Sequence, residues 1–238
     1  MKVLGVDTAT RSCSVAVLID DKPAAEMATV SERTHSVRLM PMIREALAQA
    51  GLELKDIDGF AVTVGPGSFT GLRIGISTVK GLAFATARPC AGISTLEALA
   101  YPCLPCPHPV CTLMDARKGE VYAAFFRGCG ARPQRIGAEQ IAAPEAILHA
   151  IASPHLFVGD AVEIYKDRIR AIVGASAILA PRELHFPRAS IVARLARDPL
   201  AAAARGGPSR LVPRYIRQSD AELKIKSPDA AHGQIKSG

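Results

Sequence analysis

The chain has 238 residues, 49% of them hydrophobic and 5% aromatic, and a formal net charge of +7. That length can bury about 70% of the unfolded surface in one large domain or two small ones, so no disulfide or metal staple is required. Apolar runs stop well short of the ~20 residues that span a bilayer, Asp7 interrupts the opening MKVLGVDTAT, and six irregularly spaced cysteines form no disulfide framework, which together predict a soluble cytoplasmic protein.

Residues 3–7 (VLGVD), 13–19 (CSVAVLI) and 24–30 read as three short strands separated by the turn signals TATRS and DDKP. From Thr34 to Ala50, Leu39, Met40, Ile43, Leu47 and Ala50 recur at helical spacing, Pro41 removes one helical amide, and Gly51 stops the run. Phe60–Val64 is a strand. It feeds VGPGSFTGLRIG, residues 64–75, and then a helix from Phe69 to about Ala87 with Ser68 as its cap. A strand over 89–93 and a helix TLEALA capped by Ser94 complete the order βββαβαβα.

The glycine-rich stretch matches neither phosphate loop known by mechanism. G-x-x-x-x-G-K-[ST] fails because Leu72 and Arg73 follow Gly71, and Gly65, Gly67 and Gly71 miss the dinucleotide spacing by one residue. The glycines therefore serve internal packing, or a phosphate or partner site.

From residue 110 the same order recurs: VCTLMD, the turn ARKG, EVYAAFFR, a strand over 135–141, a helix AILHAIA opened by Pro144, the strand HLFVGD, and a helix over 161–173. A repeat of this length predicts two similar lobes facing one another. Asp7 and Asp115 end corresponding strands. Asp7, Thr8 and Thr10, with Asp115, Arg117 and Gly159, are the candidate nucleotide-binding residues, unless each Asp only starts a turn. ATP or ADP with magnesium is the candidate cofactor, at the cleft or at a partner interface. Cys103, Cys106, His108 and Cys111 offer four zinc-type ligands in nine residues, although structural zinc sites usually join two separated pairs.

Residues 1–100 carry ten basic and ten acidic side chains, so the whole positive excess lies in 101–238, mainly on Arg182, Arg188, Arg194, Arg197, Arg205, Arg210, Arg214 and Arg217. Such a half can meet RNA or an acidic partner, or can be a solvated face. Residues 227–238 have almost nothing to bury and are expected to be disordered.

GVDTATRSCSVAV, HSVRLMPMI, VGPGSFTGLRIGISTVKGLA, ISTLEALA, MDARKGEVYAAFF, FVGDA and PRYIR occur in the order and spacing of the TsaB (YeaZ) family, which the chain resembles over about residues 1–222. The resemblance implies an α/β fold of the actin/Hsp70-like (ribonuclease H-like) type with duplicated βββαβα lobes. Residues 1–100 would form the first lobe, completed by about 208–225, 101–207 a shortened second lobe, and 226–238 a tail. It implies an accessory role in making threonylcarbamoyladenosine on tRNA beside the catalytic relative TsaD, which transfers the group to the adenosine next to the anticodon and holds a metal through an H-x-x-x-H helix. Here Leu39 stands four residues after His35, so that pair is missing and catalysis by this chain is not expected. His35, Leu39, Met40, Ile43, Phe69, Gly71, Leu72, Arg73, Gly75, Ile76 and Val79 are the candidate docking surface, an exposed patch with Gly71 and Gly75 narrowing it for a facing helix. Implied partners are TsaD, TsaE through the complex, a second copy of the chain without TsaD, and tRNA indirectly; no membrane is implied. The rival readings are an independent ATPase or sugar-kinase-like enzyme and, more remotely, a peptidase.

Overall fold

The computed structural model describes residues 1–30, 35–128, 132–203 and 211–216. The first half builds β1 (Lys2–Asp7), β2 (Ser12–Ile19), β3 (Lys22–Val30), α1 (His35–Gln49), β4 (Gly59–Gly65), α2 (Phe69–Thr86), β5 (Cys90–Ser94) and α3 (Thr95–Ala100). The second builds β6 (Val110–Arg117), β7 (Glu120–Arg127), β8 (Gln134–Ala142), α4 (Pro144–Leu148), β9 (His155–Val158), α5 (Asp160–Ile164), α6 (Lys166–Val173) and β10 (Ala177–Leu179), followed by α7 (Ala189–Leu195) and α8 (Arg197–Ala203).

The first sheet runs β3-β2-β1-β4-β5 and the second β10-β9-β6-β7-β8, so from its β8 edge the second sheet repeats the order of the first. In each, three antiparallel strands form a meander and the first of them also pairs in parallel with the strand after the crossover helix. The repeat read from the sequence is thus present, with β10 as a fifth strand matching β5.

Alternation along β1 explains why this sheet is covered on both faces. Leu4 and Val6 join Leu39, Ile43, Leu72, Ile76 and Val79 of α1 and α2 in one core, while Val3 joins Ala189, Val192 and Ala193 of α7 in another. Gly5 lets α7 lie directly on the strand, since a Cβ there would sit 2.2 Å from the Ala189 carbonyl oxygen. Residues 189–203, which the sequence reading placed in the second lobe, therefore pack on the first sheet. The second sheet has α3 against one face and α4, α5 and α6 against the other.

Three other details differ from the sequence reading. The single helix expected over 161–173 is two, meeting at Tyr165 (φ −109°, ψ 17°). Ala161, Val162 and Ile169 bury in one core across that break, so the apolar spacing gave no sign of it. The helix opened by Pro144 stops at Leu148, and β10 was not foreseen. The disordered tail expected over 226–238, together with Arg205, Arg210 and Arg217, lies outside the described residues.

Gly71 and Gly75 face inward. An added Cβ would meet the Thr8 carbonyl oxygen at 2.1 Å from position 71 and Thr8 Oγ1 at 2.3 Å from position 75. Gly81, in the same helix, has nothing within 4 Å. Gly71→Ala and Gly75→Ala are each expected to lose about 1–3 kcal/mol by overpacking, whereas Gly81→Ala gains up to about 1 kcal/mol of helix propensity. Urea denaturation of the three variants checks this; equal effects at 71 and 81 would contradict the packing described.

Candidate functional site

Two surfaces carry the residues singled out by sequence. The first is the cleft where β1 and β6 end. The β1–β2 turn is held against α2: Ser68 N donates to the Ala9 carbonyl at 2.7 Å, and Thr8 Oγ1 donates to the Gly71 carbonyl at 2.8 Å. Ala9 N donates to Asp7 Oδ1, and Ser12 N to Thr10 Oγ1. Across the cleft, Arg117 N donates to Asp115 Oδ1 at 2.9 Å, Asp115 N donates to Asp160 Oδ1 at 3.0 Å, and Gly159 N donates to His185 Nδ1 at 3.2 Å. Gly159, at φ 122°, is required because a Cβ would lie 2.0 Å from the Leu113 carbonyl oxygen.

This geometry bears on the nucleotide expectation. A phosphate cradle needs backbone N–H groups facing the ligand, yet those of Ala9, Ser12, Ser68, Asp115, Arg117 and Gly159 are spent inside the protein. Among the described residues no group of three or more His, Cys, Asp or Glu side chains is placed to hold a metal ion. In this arrangement those six donors are not available to a phosphate, while Asp7 and Asp115 stand as the two strand-end carboxylates.

The cleft does hold buried carboxyls. Asp7 is fully buried, with Oδ1 accepting from Thr63 Oγ1 at 2.7 Å and Oδ2 lacking any partner among the described residues. Burial pushes its carboxyl up to about 7, against the Thr63 and Ala9 hydrogen bonds and with the Asp160 charge adding to the rise. Burial likewise pushes Asp160 up to about 6, the hydrogen bond from Asp115 N opposing it. Asp160 and His185 were not singled out by sequence. Asp160 sits inside the quoted FVGDA, where only the glycine was named, and His185 lies 26 residues from its partner with no local signal.

The second surface is the outer side of α1 and α2. Here the structure corrects the expectation of an exposed patch: Leu39, Ile43, Leu72, Ile76 and Val79 are at most 4% exposed and fill the lobe's own core. Gly71 and Gly75 accommodate Thr8 instead of a facing helix. His35 is also tied inward, its Nε2–H donating to the Thr10 carbonyl at 2.9 Å. What faces solvent is Val37 (70% exposed), Met40 (39%) and Phe84 (91%), with Arg44, Arg73, Ser77, Gly81 and Ala85. Phe69 is half-buried beside Arg73. Phe84 was missed because, in an apolar helix, periodicity does not say which apolar residue is left outside.

The cysteine cluster does not assemble. Cys111, on β6, packs on the α4–α6 side of the second sheet, whereas Cys103, in the turn that follows α3, packs on the α3 side. Burial pushes the Cys103 thiol up to about 11 and raises that of Cys111 as well, the reverse of what a metal-binding thiolate needs. A separate groove of about 400 Å³ between the lobes is lined by Ser94, Glu97, Arg135, Glu139 and Arg214. Its charges are paired, with Glu139 accepting from Ser94 Oγ at 3.0 Å and lying 3.1 Å from Arg135 and 3.5 Å from Arg214. No helix among the described residues is long and apolar enough to cross a membrane.

Comparison with known proteins finds relatives along most of the chain. A family model described as "TsaD: tRNA N6-adenosine threonylcarbamoyltransferase" matches residues 27–225. The chain is 31% identical over 227 residues to the tRNA threonylcarbamoyladenosine biosynthesis protein TsaB of Bacillus subtilis, covering 94% of this chain and 97% of that protein. It resembles the solved structure of YeaZ from Pseudomonas aeruginosa at 32% identity and a TM-score of 0.76, over 90% of this chain and 99% of that one. The (R)-2-hydroxyglutaryl-CoA dehydratase component A of Acidaminococcus fermentans shares the two-lobed actin/Hsp70-like fold alone, at 12% identity and a TM-score of 0.51, over 84% of this chain and 99% of that one.

The buried carboxyls make stability depend on pH. The folded protein keeps the Asp7 proton up to about pH 7, while the unfolded chain loses it near 3.8, so the folded state binds more protons between those values and stability falls as pH rises through the window. Asp160 acts in the same direction up to about pH 6. Relative to the parent, Asp7→Asn is expected to be more stable at pH 8 by about 2–4 kcal/mol, the difference shrinking toward pH 4. Denaturation at pH 4, 6 and 8 measures it; parallel pH profiles would refute the assignment.

Proposed function

Because the chain belongs to the TsaB (YeaZ) family, we propose that it is a cytoplasmic, non-catalytic subunit of tRNA threonylcarbamoyladenosine synthesis, which docks on TsaD through the outer side of α1 and α2. The observation that carries this reading is the pairing of Gly81 with Phe84. Glycine inside a helix costs about 1 kcal/mol relative to alanine, and nothing in the fold compensates for it at 81, where a side chain would meet open space. Phe84 is 91% exposed one turn away, and Ser77, Gly81 and Ala85 form an exposed run of small residues at four-residue spacing. A facing helix could approach closely along that run and cover Phe84, Met40 and Val37.

The non-catalytic part rests on α1. Leu39 stands where the second histidine of an H-x-x-x-H pair would be, and His35 already gives its Nε2 proton to the Thr10 carbonyl. The transferase named by the matching family model would need both imidazoles on one helix face. The independent-ATPase reading is weakened by the spent donors of the cleft. TsaE would then act through the assembled complex, a second copy would cover the same face when TsaD is absent, and any tRNA contact by this chain would be indirect.

In a test with the cognate TsaD, Gly81→Leu and Phe84→Asp are expected to weaken affinity about tenfold or more, because overpacking or a buried charge at a helix contact costs at least ~1.4 kcal/mol. Their melting temperatures should stay within a few degrees of the parent, since neither side chain serves the internal core. Transfer to tRNA should require TsaD, TsaE and threonylcarbamoyl-AMP together. Parent-like affinity of both variants would move the interface elsewhere, and transfer by the isolated chain would end the non-catalytic reading.

A further inference from the structure

The segment 211–216 returns across the first lobe and is pinned along its length. Leu211 is buried at 3% exposure in the α1–α2 core, and its carbonyl accepts from Lys80 Nζ at 3.2 Å. Arg214 N donates to the Val64 carbonyl at 2.7 Å, and its guanidinium reaches Glu139 of the second lobe at 3.5 Å. The backbone passes so close that a Cβ on Gly65 would lie 2.6 Å from the Arg214 carbonyl oxygen. The next residue, Tyr215, is therefore delivered to a fixed place at the start of α2.

There it meets Phe69, with ring centroids 4.9 Å apart and planes inclined at 30°. Arg73, one turn along α2, lays its guanidinium over the Phe69 ring at 3.7 Å and donates Nε–H to Tyr215 Oη at 3.0 Å. The two terminal nitrogens remain at the surface, and among the described residues no carboxylate pairs with them. α1 and α2 carry Arg38, Arg44, Arg73 and Lys80 against Glu45 alone, so the face is basic.

We infer that Phe69 and Tyr215 hold Arg73 as a preset fork for a carboxylate on the TsaD partner, making the C-terminal segment part of the docking surface. An arginine already stacked and hydrogen-bonded loses little rotamer freedom on pairing, and its planar donors match a carboxylate two at a time. Tyr215 and Phe69 are positioning residues, and Arg73 makes the contact. The inference rests on the α1–α2 docking reading, which Gly81→Leu tests separately.

The experiment measures affinity of the full chain for purified cognate TsaD at low and moderate salt. Arg73→Gln is expected to weaken binding about tenfold and to flatten its salt dependence. Tyr215→Phe, which keeps the ring and removes the hydroxyl, should weaken it about three- to fivefold, and the double variant should bind no worse than Arg73→Gln alone, because the hydroxyl acts only through the arginine. Arg73→Lys should not restore the parent affinity. Parent-like binding by Tyr215→Phe, or losses that multiply in the double variant, would overturn the inference while Gly81→Leu still weakens binding. It is equally overturned if Arg73→Gln spares TsaD affinity and instead lowers binding of tRNA.

Discussion

Everything distinctive about the first lobe depends on how closely the β1–β2 turn is pressed against the start of α2. Ala9 accepts from Ser68 N, Thr8 Oγ1 donates to Gly71, and Thr10 accepts from His35 on α1. Side chains cannot be accommodated along this contact: a Cβ at position 67 would lie 2.4 Å from the Ala9 carbonyl oxygen, and those at 71 and 75 would strike Thr8. One four-residue turn thereby fixes the depth and rotation of two helices. The outer faces of those helices are placed by the same contact that fixes their inner ones.

The contact has a consequence for the cleft. Donors that could have faced a phosphate are turned inward to hold the turn, and the strand end that carries Asp7 is closed over. A carboxyl enclosed in this way, with one oxygen unpartnered among the described residues, keeps its proton toward neutral pH because burial disfavours the charged form. The two-lobed architecture thus encloses, at the end of β1, a carboxyl that packs as a buried group. His35 is likewise turned inward, its imidazole tying α1 to the turn.

The order of elements in the first lobe, the repeat and the limits of α1 and α2 were legible because they follow from periodicity, turn residues and caps that act within a few positions. The glycine spacing was also visible, but its meaning was not. Glycines four apart permit a close approach on one side of a helix, and the sequence does not say whether the approaching group comes from the same chain. Gly71 and Gly75 proved to face Thr8, more than sixty residues earlier in the chain. Residues 189–203 were assigned to the second lobe for a similar reason: their partners include Val3, Gly5 and Ala16 of the first sheet, and Ala-rich helices fit either sheet. Asp160, His185 and Tyr215 act through contacts made at long range, beyond the reach of any local pattern.

α2 therefore carries two kinds of glycine with opposite physical grounds. At 71 and 75 the helix tolerates glycine because the turn leaves no room for a β-carbon, and the packing gained offsets the lost helix propensity. At 81 there is room for any side chain, and alanine would make a more stable isolated lobe. A residue that weakens its own helix and relieves no internal crowding is not explained by the fold of one chain. It stands beside an exposed phenylalanine, on a basic face whose arginine is already held in position, and the proposed docking surface rests on that placement.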